Sequence, residues 1–346
     1  MAQARVAQPV ARVDVVTETL FDVTLSDPYR WMEQGGPEFD GWMTDQGAFT
    51  EEFLAAVPER AALLARVTEL TAGVVSLTSI ATAGDTVFYL RQTGEDGVPV
   101  LVAREGDTER ILLDPATLSG EEHSSLDWFA PDHDGTRIAC GISQGGSERS
   151  ALHVLDVATG TLTHEHVPGM ARGVVSWFPD NERFLVLVVP EPAPGTPAAH
   201  RRDNAVTRLH HVGAADRDVV VLGPGVNSAV PVSPRHRPCV VLTDDSDWAI
   251  ATVSAGASIG SARDGLSDAT LYVAPVAGLA DPATCPWRVL ATEADGVTAF
   301  AVHGDTGYLV TYRSAPRSEV VVTSLREDSP WEVVVPGGER AVASVR

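Results

Sequence analysis

The chain has 346 residues, 25 basic and 47 acidic side chains, a formal net charge of −22 and 44% apolar residues. The apolar share supports a packed core and the charge repels phosphate backbones, so wholesale disorder and general nucleic-acid binding are excluded. Every basic residue is Arg, and without Lys there is no Schiff-base chemistry, no P-loop lysine and no lysine general base.

In chain order, Met1 to Val16 is interrupted by Arg5, Arg12 and Asp14 and has no apolar signal core. No later run approaches the ~20 apolar residues that span a bilayer, so no membrane partner is expected. Asp27-Pro28-Tyr29-Arg30-Trp31-Met32-Glu33 places a Pro where a helix's first turn tolerates one. Phe39, Trp42, Met43, Phe49, Phe53, Leu54 and Val57 then recur at helical spacing, as do Leu63, Leu64, Val67 and Leu70 before Gly73. Two amphipathic helices are expected.

From Val74 the pattern changes to short β-rich runs separated by Gly, Pro, Asp and Asn turns, including Thr86–Arg91, Arg137–Ile142, Arg183–Val189, Tyr308–Tyr312 and Trp331–Val335. Such spacing predicts a sandwich, barrel or propeller. An internal repeat favours the propeller. Leu126-Asp127-Trp128-Phe129-Ala130-Pro131-Asp132 is echoed by Val175-Ser176-Trp177-Phe178-Pro179-Asp180, and more weakly by Val230-Pro231-Val232-Ser233-Pro234. A period of about 50 residues with several strands each is the signature of propeller blades. The expected division is an N-terminal helical segment (1–73) and about five blades over 74–338, near 74–122, 123–172, 173–226, 227–293 and 294–338. The stretch around Asp244–Asp268 reads as a loop insertion, Pro190–Pro197 interrupts the third blade, and 339–346 reads as the first strand of a sixth.

On these residues the chain resembles the prolyl oligopeptidase-type serine peptidases. The resemblance rests on Asp27 to Glu33, on Gln46, and on the helical run to Leu70. It continues through Gly141-Ile142-Ser143, Gly146-Ser147-Glu148, Leu152–Val157 with Thr159-Gly160, His211-Val212-Gly213 with Asp218–Gly223, Ala315-Pro316-Arg317, and Trp331 with Val334-Val335-Pro336. It implies a seven-bladed propeller followed by an α/β-hydrolase domain with a Ser, Asp, His triad, so that these 346 residues are the non-catalytic front half. It also implies that Asp27, Pro28, Tyr29, Arg30 and Trp31 pack structurally against the hydrolase domain, and that short peptides are the partners.

The candidate chemistry is sparse. Gly141-Ile142-Ser143-Gln144-Gly145 fits a nucleophile elbow, but the following Ser147–Val157 alternates like a strand where an elbow needs a helix. A glycine-rich β-turn is the preferred reading. His153 falls in a strand, and His200, His210 and His211 flank a loop. His164 and His166 alternate as on one strand face with Glu165 on the other, short of the three ligands of catalytic zinc. Glu95-Asp96, Asp132-His133-Asp134 and Asp244 to Asp247 are carboxylate-rich turns without EF-hand spacing. Cys140, Cys239 and Cys285 lie far apart, which fits a reducing compartment. A cytoplasmic chain with no catalytic residue, cofactor or metal of its own is expected.

The functional expectation is the gating and scaffold portion of such a peptidase, inactive alone. The alternatives are a stand-alone propeller that binds a peptide or protein, and a hydrolase using Ser143. An unfinished propeller bares a blade face at each end. A patch of ~300–600 Å² at ~25 cal/mol/Å² forfeits roughly 8–15 kcal/mol of burial, so aggregation, self-association through those faces or re-closure as a five-bladed ring is expected.

Overall fold

The computed structural model describes residues 8–93, 98–118, 123–243, 245–255, 266 and 268–345. They fall into two compact units, Met1–Val74 with Ala193–Arg201, and Val75–Pro192 with Arg202–Arg346.

The first unit opens with an antiparallel hairpin, β1 (Val16–Leu20) and β2 (Val23–Asp27), in which Leu20 pairs with Val23. The two loop residues, Phe21 and Asp22, both have positive φ (50° and 64°), as a type I′ turn requires. That hairpin was not expected, because Phe-Asp is not the Asn-Gly or Asp-Gly signal of such turns. Arg30–Gln34 is a single 3-10 turn, so the Pro28 segment does not begin an α-helix. Helix α1 (Pro37–Ala55) starts instead at Pro37, with Glu38 and Asp40 in its first turn where the helix dipole favours acids. Helix α2 (Arg60–Thr71) follows. Neither helix has a buried residue; Phe53 is 56% exposed and Leu63 66%.

The second unit is a mainly β propeller assembly. β3 (Val75–Ala83), β4 (Thr86–Thr93), β5 (Val100–Glu105) and β6 (Thr108–Leu113) form a four-stranded antiparallel sheet. Next come β7 (Ser124–Pro131), β8 (Arg137–Gln144), β9 (Ser150–Asp156), the short β10 (Thr161–Leu162), β11 (Val167–Trp177), β12 (Arg183–Val188), β13 (Val206–His211) and β14 (Val219–Leu222), in one eight-stranded sheet. This is two four-stranded units sharing β11. Val167 and Met170 pair with β9, whereas Val175 to Trp177 pair with β12. The ladder shifts where Gly169, at φ +82°, lies against the Val189 carbonyl; a Cβ there would meet that oxygen at 2.2 Å. Only glycine fits. β15 (Arg237–Val241), β16 (Trp248–Ser254), β17 (Ala269–Pro275) and β18 (Arg288–Ala291) form the next sheet. β19 (Val297–His303), β20 (Thr306–Thr311), β21 (Glu319–Ser324) and β22 (Glu332–Val335) form the last.

Three expectations need correction. The stretch around Asp244–Asp268 is not all loop: Trp248–Ser254 is a fully paired central strand, between β15 and β17. Its small residues, Ala249 and Ala251, looked loop-like but are fully buried where adjacent sheets press together. Residues 256–265 lie outside those described. The echo at Val230–Pro234 is not an inner strand either, since the first strand of that sheet is β15. Residues 339–345 enter no ladder; Val342 N donates to the Arg317 carbonyl at 3.0 Å, and Val342 and Val345 pack on Ala299, Val310 and Val320.

The cores lie between successive sheets, because alternate strand residues face opposite neighbours. On β8, Ile138, Cys140 and Ile142 join Phe88, Leu90 and Leu101 of the first sheet, while Ala139 joins Trp177 and Phe184 on the other side. Leu185 and Val221 share a core with Ala251, Tyr272 and Trp287. Ile250 and Leu271 share one with Phe300 and Leu309. Among the described residues no core cluster joins the first sheet to the last.

Candidate functional site

The inner strands β3, β7 and β11, with Leu242 beyond β15, enclose a cavity of about 350 Å³ lined by Thr82, Gly84, Pro131, His133, Ser176 and Leu242 among others. Each inner hairpin at this end carries an acid: Asp85, Asp132 and Asp134, Asp180, Asp245 and Asp247, and Asp305. Most of these carboxylates are committed to holding turns and sheets together. Buried Asp132 accepts from Thr136 N and Thr136 Oγ1, both at 2.8 Å. Asp134 accepts from Asn181 Nδ2 at 2.7 Å, and His133 N donates to Asn181 Oδ1 at 3.1 Å. Asp245 meets His303. Asp305 accepts from Trp248 Nε1 at 2.8 Å and pairs with Arg326 at 2.6 Å, which hold its carboxyl below the usual range. The carboxylate-rich turns are thus inter-sheet ties. Asp244 and Glu95-Asp96 lie outside the described residues.

Ser143 sits within β8 and is 3% exposed, so it is a strand residue and not an elbow. Its Oγ donates to Asp127 Oδ1 at 3.0 Å, and Ser150 Oγ donates to the other carboxylate oxygen. Among the described residues no His contacts this group, which holds two strand hydroxyls on one carboxylate. The adjacent Gly141 has a different constraint: a Cβ would stand 2.1 Å from Trp128 Nε1. The repeated tryptophans serve the sheets, with Trp177 Nε1 donating to the Ala130 carbonyl at 3.1 Å.

The histidines form no metal centre: among the described residues no three His, Cys, Asp or Glu side chains converge to hold an ion. His164 and His166 do not share a strand, since they fall in the break between β10 and β11. His166 lies edge-on to His153, with ring centroids 5.2 Å apart. Burial, then the His166 charge, lowers the His153 pKa. Glu165 accepts from Gly213 N and Thr163 Oγ1. His210 and His211 close β13 and so flank the connection to β14. His210 is 1% exposed, with Nδ1 2.9 Å from Asp218 Oδ2 and its ring 4.8 Å from that of Phe184. This pair was not legible in sequence, because Asp218 returns to it only through the β13–β14 turn.

In the first unit, Asp27 to Trp31 is a local staple. Arg30 Nε donates to Asp27 Oδ2 at 2.9 Å and Arg30 Nη2 to Glu18 Oε1 at 2.8 Å, clamping both strands of the hairpin. Tyr29 N donates to Asp27 Oδ1 at 2.9 Å. The Arg30 bonds are the main cause of depressed carboxyl pKa values at Glu18 and Asp27, and the two acids hold Arg30 protonated. Trp31 Nε1 donates to the Arg12 carbonyl at 2.8 Å beneath the Arg12 guanidinium, which reaches Glu38 at 2.8 Å. Pro28 contributes its carbonyl to Asp14 N at 2.9 Å. Gln46 Nε2 donates to the Pro9 carbonyl at 2.8 Å. Tyr29 is exposed.

Comparison with known proteins agrees with this architecture. A family model described as the prolyl oligopeptidase N-terminal beta-propeller domain matches residues 8–346. A prolyl endopeptidase of Elizabethkingia meningoseptica is 25% identical over 326 residues, covering 92% of this chain and 43% of the relative. A prolyl oligopeptidase A of Galerina marginata is 21% identical, covering 98% and 49%. A solved prolyl endopeptidase, from work on inter-domain dynamics, superposes with a TM-score of 0.79 at 27% identity, over 96% of this chain and 47% of that one. Prolyl oligopeptidase B from Galerina marginata bound to a 35mer substrate gives 0.75 at 18% identity, a likeness of fold. The chain spans less than half the length of these relatives. With the match running from residue 8 to residue 346, the chain belongs to the prolyl oligopeptidase N-terminal β-propeller family.

Proposed function

We propose that this chain is the gating and scaffold portion of a prolyl oligopeptidase-type serine peptidase, which admits short peptides and excludes folded proteins. The observation that carries this reading is the family match over 8–346 together with coverage of only 43–49% of the curated relatives. The cavity among the inner strands is the gating element, and its size suits an extended peptide segment, not a folded domain. Acyl transfer after proline then belongs to a hydrolase domain that supplies nucleophile, base and oxyanion donors. Asp27 to Trp31 keep the N-terminal hairpin in place, and the bare apolar stripes of α1 and α2 are the surface that the hydrolase domain covers.

We also propose a cytoplasmic location. Supporting it, Cys140, Cys239 and Cys285 are free and buried, with burial pushing their thiols to about 12, 12 and 11. No described helix is long and apolar enough to cross a membrane.

The test is an assay of the 346-residue chain with a proline-containing fluorogenic peptide, alone and mixed with the hydrolase domain of a relative. No turnover alone and altered peptide-length selectivity in the mixture are expected. Hydrolysis by the chain alone that vanishes in Ser143→Ala would overturn the reading. Saturable, sequence-selective peptide binding without any effect on the hydrolase would favour the stand-alone binding module.

A further inference from the structure

We propose that the pocket at the turn end of β12 and β13 binds a small oxyanion, a phosphate or carboxylate group. The pocket has a volume of about 450 Å³, and its wall includes Arg137, Arg183, Arg217, His211, Asp180 and Glu182. Three stretches build it: the start of β8, the turn between β11 and β12, and the turn between β13 and β14. Three guanidinium groups against two carboxylates make it a positive island in a chain of net charge −22.

The donors are unequally committed. Arg183 is neutralised, with Nε 2.8 Å and Nη2 2.7 Å from Asp180 Oδ2, and it lies over the Phe178 ring at 4.4 Å. Arg137 gives only Nη1 to the protein, to the Asn181 carbonyl at 2.9 Å. The Arg217 side chain has no hydrogen bond or ion pair among the described residues. His211 Nδ1 is buried and without a partner. An oxyanion seated in the pocket accepts from two guanidinium edges, and its charge favours the protonated His211 ring. Burial first, then Arg217 and Arg183, lower the His211 pKa, with Asp218 opposing them. Asp218 itself is turned away, to His210 Nδ1 at 2.9 Å and His211 N at 3.0 Å. Glu182 is the one lining carboxylate without an ion pair among the described residues, and it opposes anion binding.

The site is separate from the peptide-gating cavity and does not rest on the peptidase reading. It is tested by titrating the 346-residue chain with inorganic phosphate and, in a parallel arm, with succinate, both at constant ionic strength in sodium chloride. Calorimetry reads affinity and the His211 ring resonance reads position. One saturable site is expected for at least one anion, with the His211 pKa rising on binding. Arg217→Gln should weaken it about tenfold, the worth of one charge-assisted hydrogen bond, and Glu182→Gln should strengthen it. Both side chains are exposed, so neither change threatens the fold. The arm that saturates identifies phosphate or carboxylate. Unsaturable titrations in both arms, or equal affinities in wild type, Arg217→Gln and Glu182→Gln, would sink the proposal.

Discussion

Single residues here are mostly constrained by packing between sheets. Gly141→Ala should cost about 1–3 kcal/mol in chemical denaturation, because its Cβ overlaps the Trp128 indole, which must shift to admit it. Ser143→Ala should cost about 1–2 kcal/mol, from the lost bond to the Asp127 carboxylate, without changing any hydrolytic rate. Two half-buried histidines give a pH dependence. Folded-state pKa values of His153 and His211 are lowered, so the folded chain binds fewer protons there than the unfolded chain. Their contribution is complete above about pH 6.5, the unfolded value, and is lost as pH falls through the folded values. Thermal scans should show Tm dropping between pH 7.5 and 5.5, with a smaller drop in His153→Gln; an unchanged drop would assign the effect elsewhere.

At the scale of elements, the N-terminal hairpin depends on electrostatics more than on burial. β1, β2, α1 and α2 contribute no buried residue, and Arg30 ties Glu18 to Asp27 across the hairpin. Glu18 and Asp27 have depressed folded pKa values, so their contribution holds above the unfolded range of about 3.9–4.3 and disappears as pH falls below it. Limited proteolysis should therefore release the first ~70 residues before the propeller is cut, faster in Arg30→Met than in wild type. Equal cleavage rates in the two proteins would show that the staple is not what protects this segment. β11 presents the opposite case: one strand serves two sheets because Gly169 lets it change partner.

At the scale of the molecule, each inner sheet has a neighbour on both faces, and the first and last do not. On the first sheet Leu77 pairs with Arg91 and Ile111 with Val102, on the face away from Phe88 and Leu90. Leu77 is 50% exposed and nearby Ile80 65%. The last sheet is covered in part by Val342 and Val345 at Ala299, Val310 and Val320, but its edge strand β22 bears the exposed Val333, Val334 and Val335. The 346-residue chain should therefore self-associate in light scattering at micromolar concentration. Leu77→Glu with Ile80→Glu should move it toward monomer, since a charge cannot be buried in such a contact without large cost. A wild-type chain that stays monomeric throughout would show that those faces tolerate water.

The sequence by itself determined the fold class, the change from helix to strand near Val74, and the absence of an elbow at Ser143, because periodicity and turn chemistry are local properties. The tryptophan repeat marked two inner strands but not their register: Trp128 pairs with Gly141 within β7, whereas Trp177 pairs with Phe184 at the end of β11. Only the tertiary structure decided the rest. Whether Trp248–Ser254 is a loop or a central strand depends on neighbours on both sides, which small residues permit without announcing. His210 meets Asp218 through the β13–β14 turn, and Arg137, Arg183 and Arg217 gather around one pocket from the start of β8 and two later turns. Side chains brought together across about 80 positions of chain leave no spacing for a sequence to display.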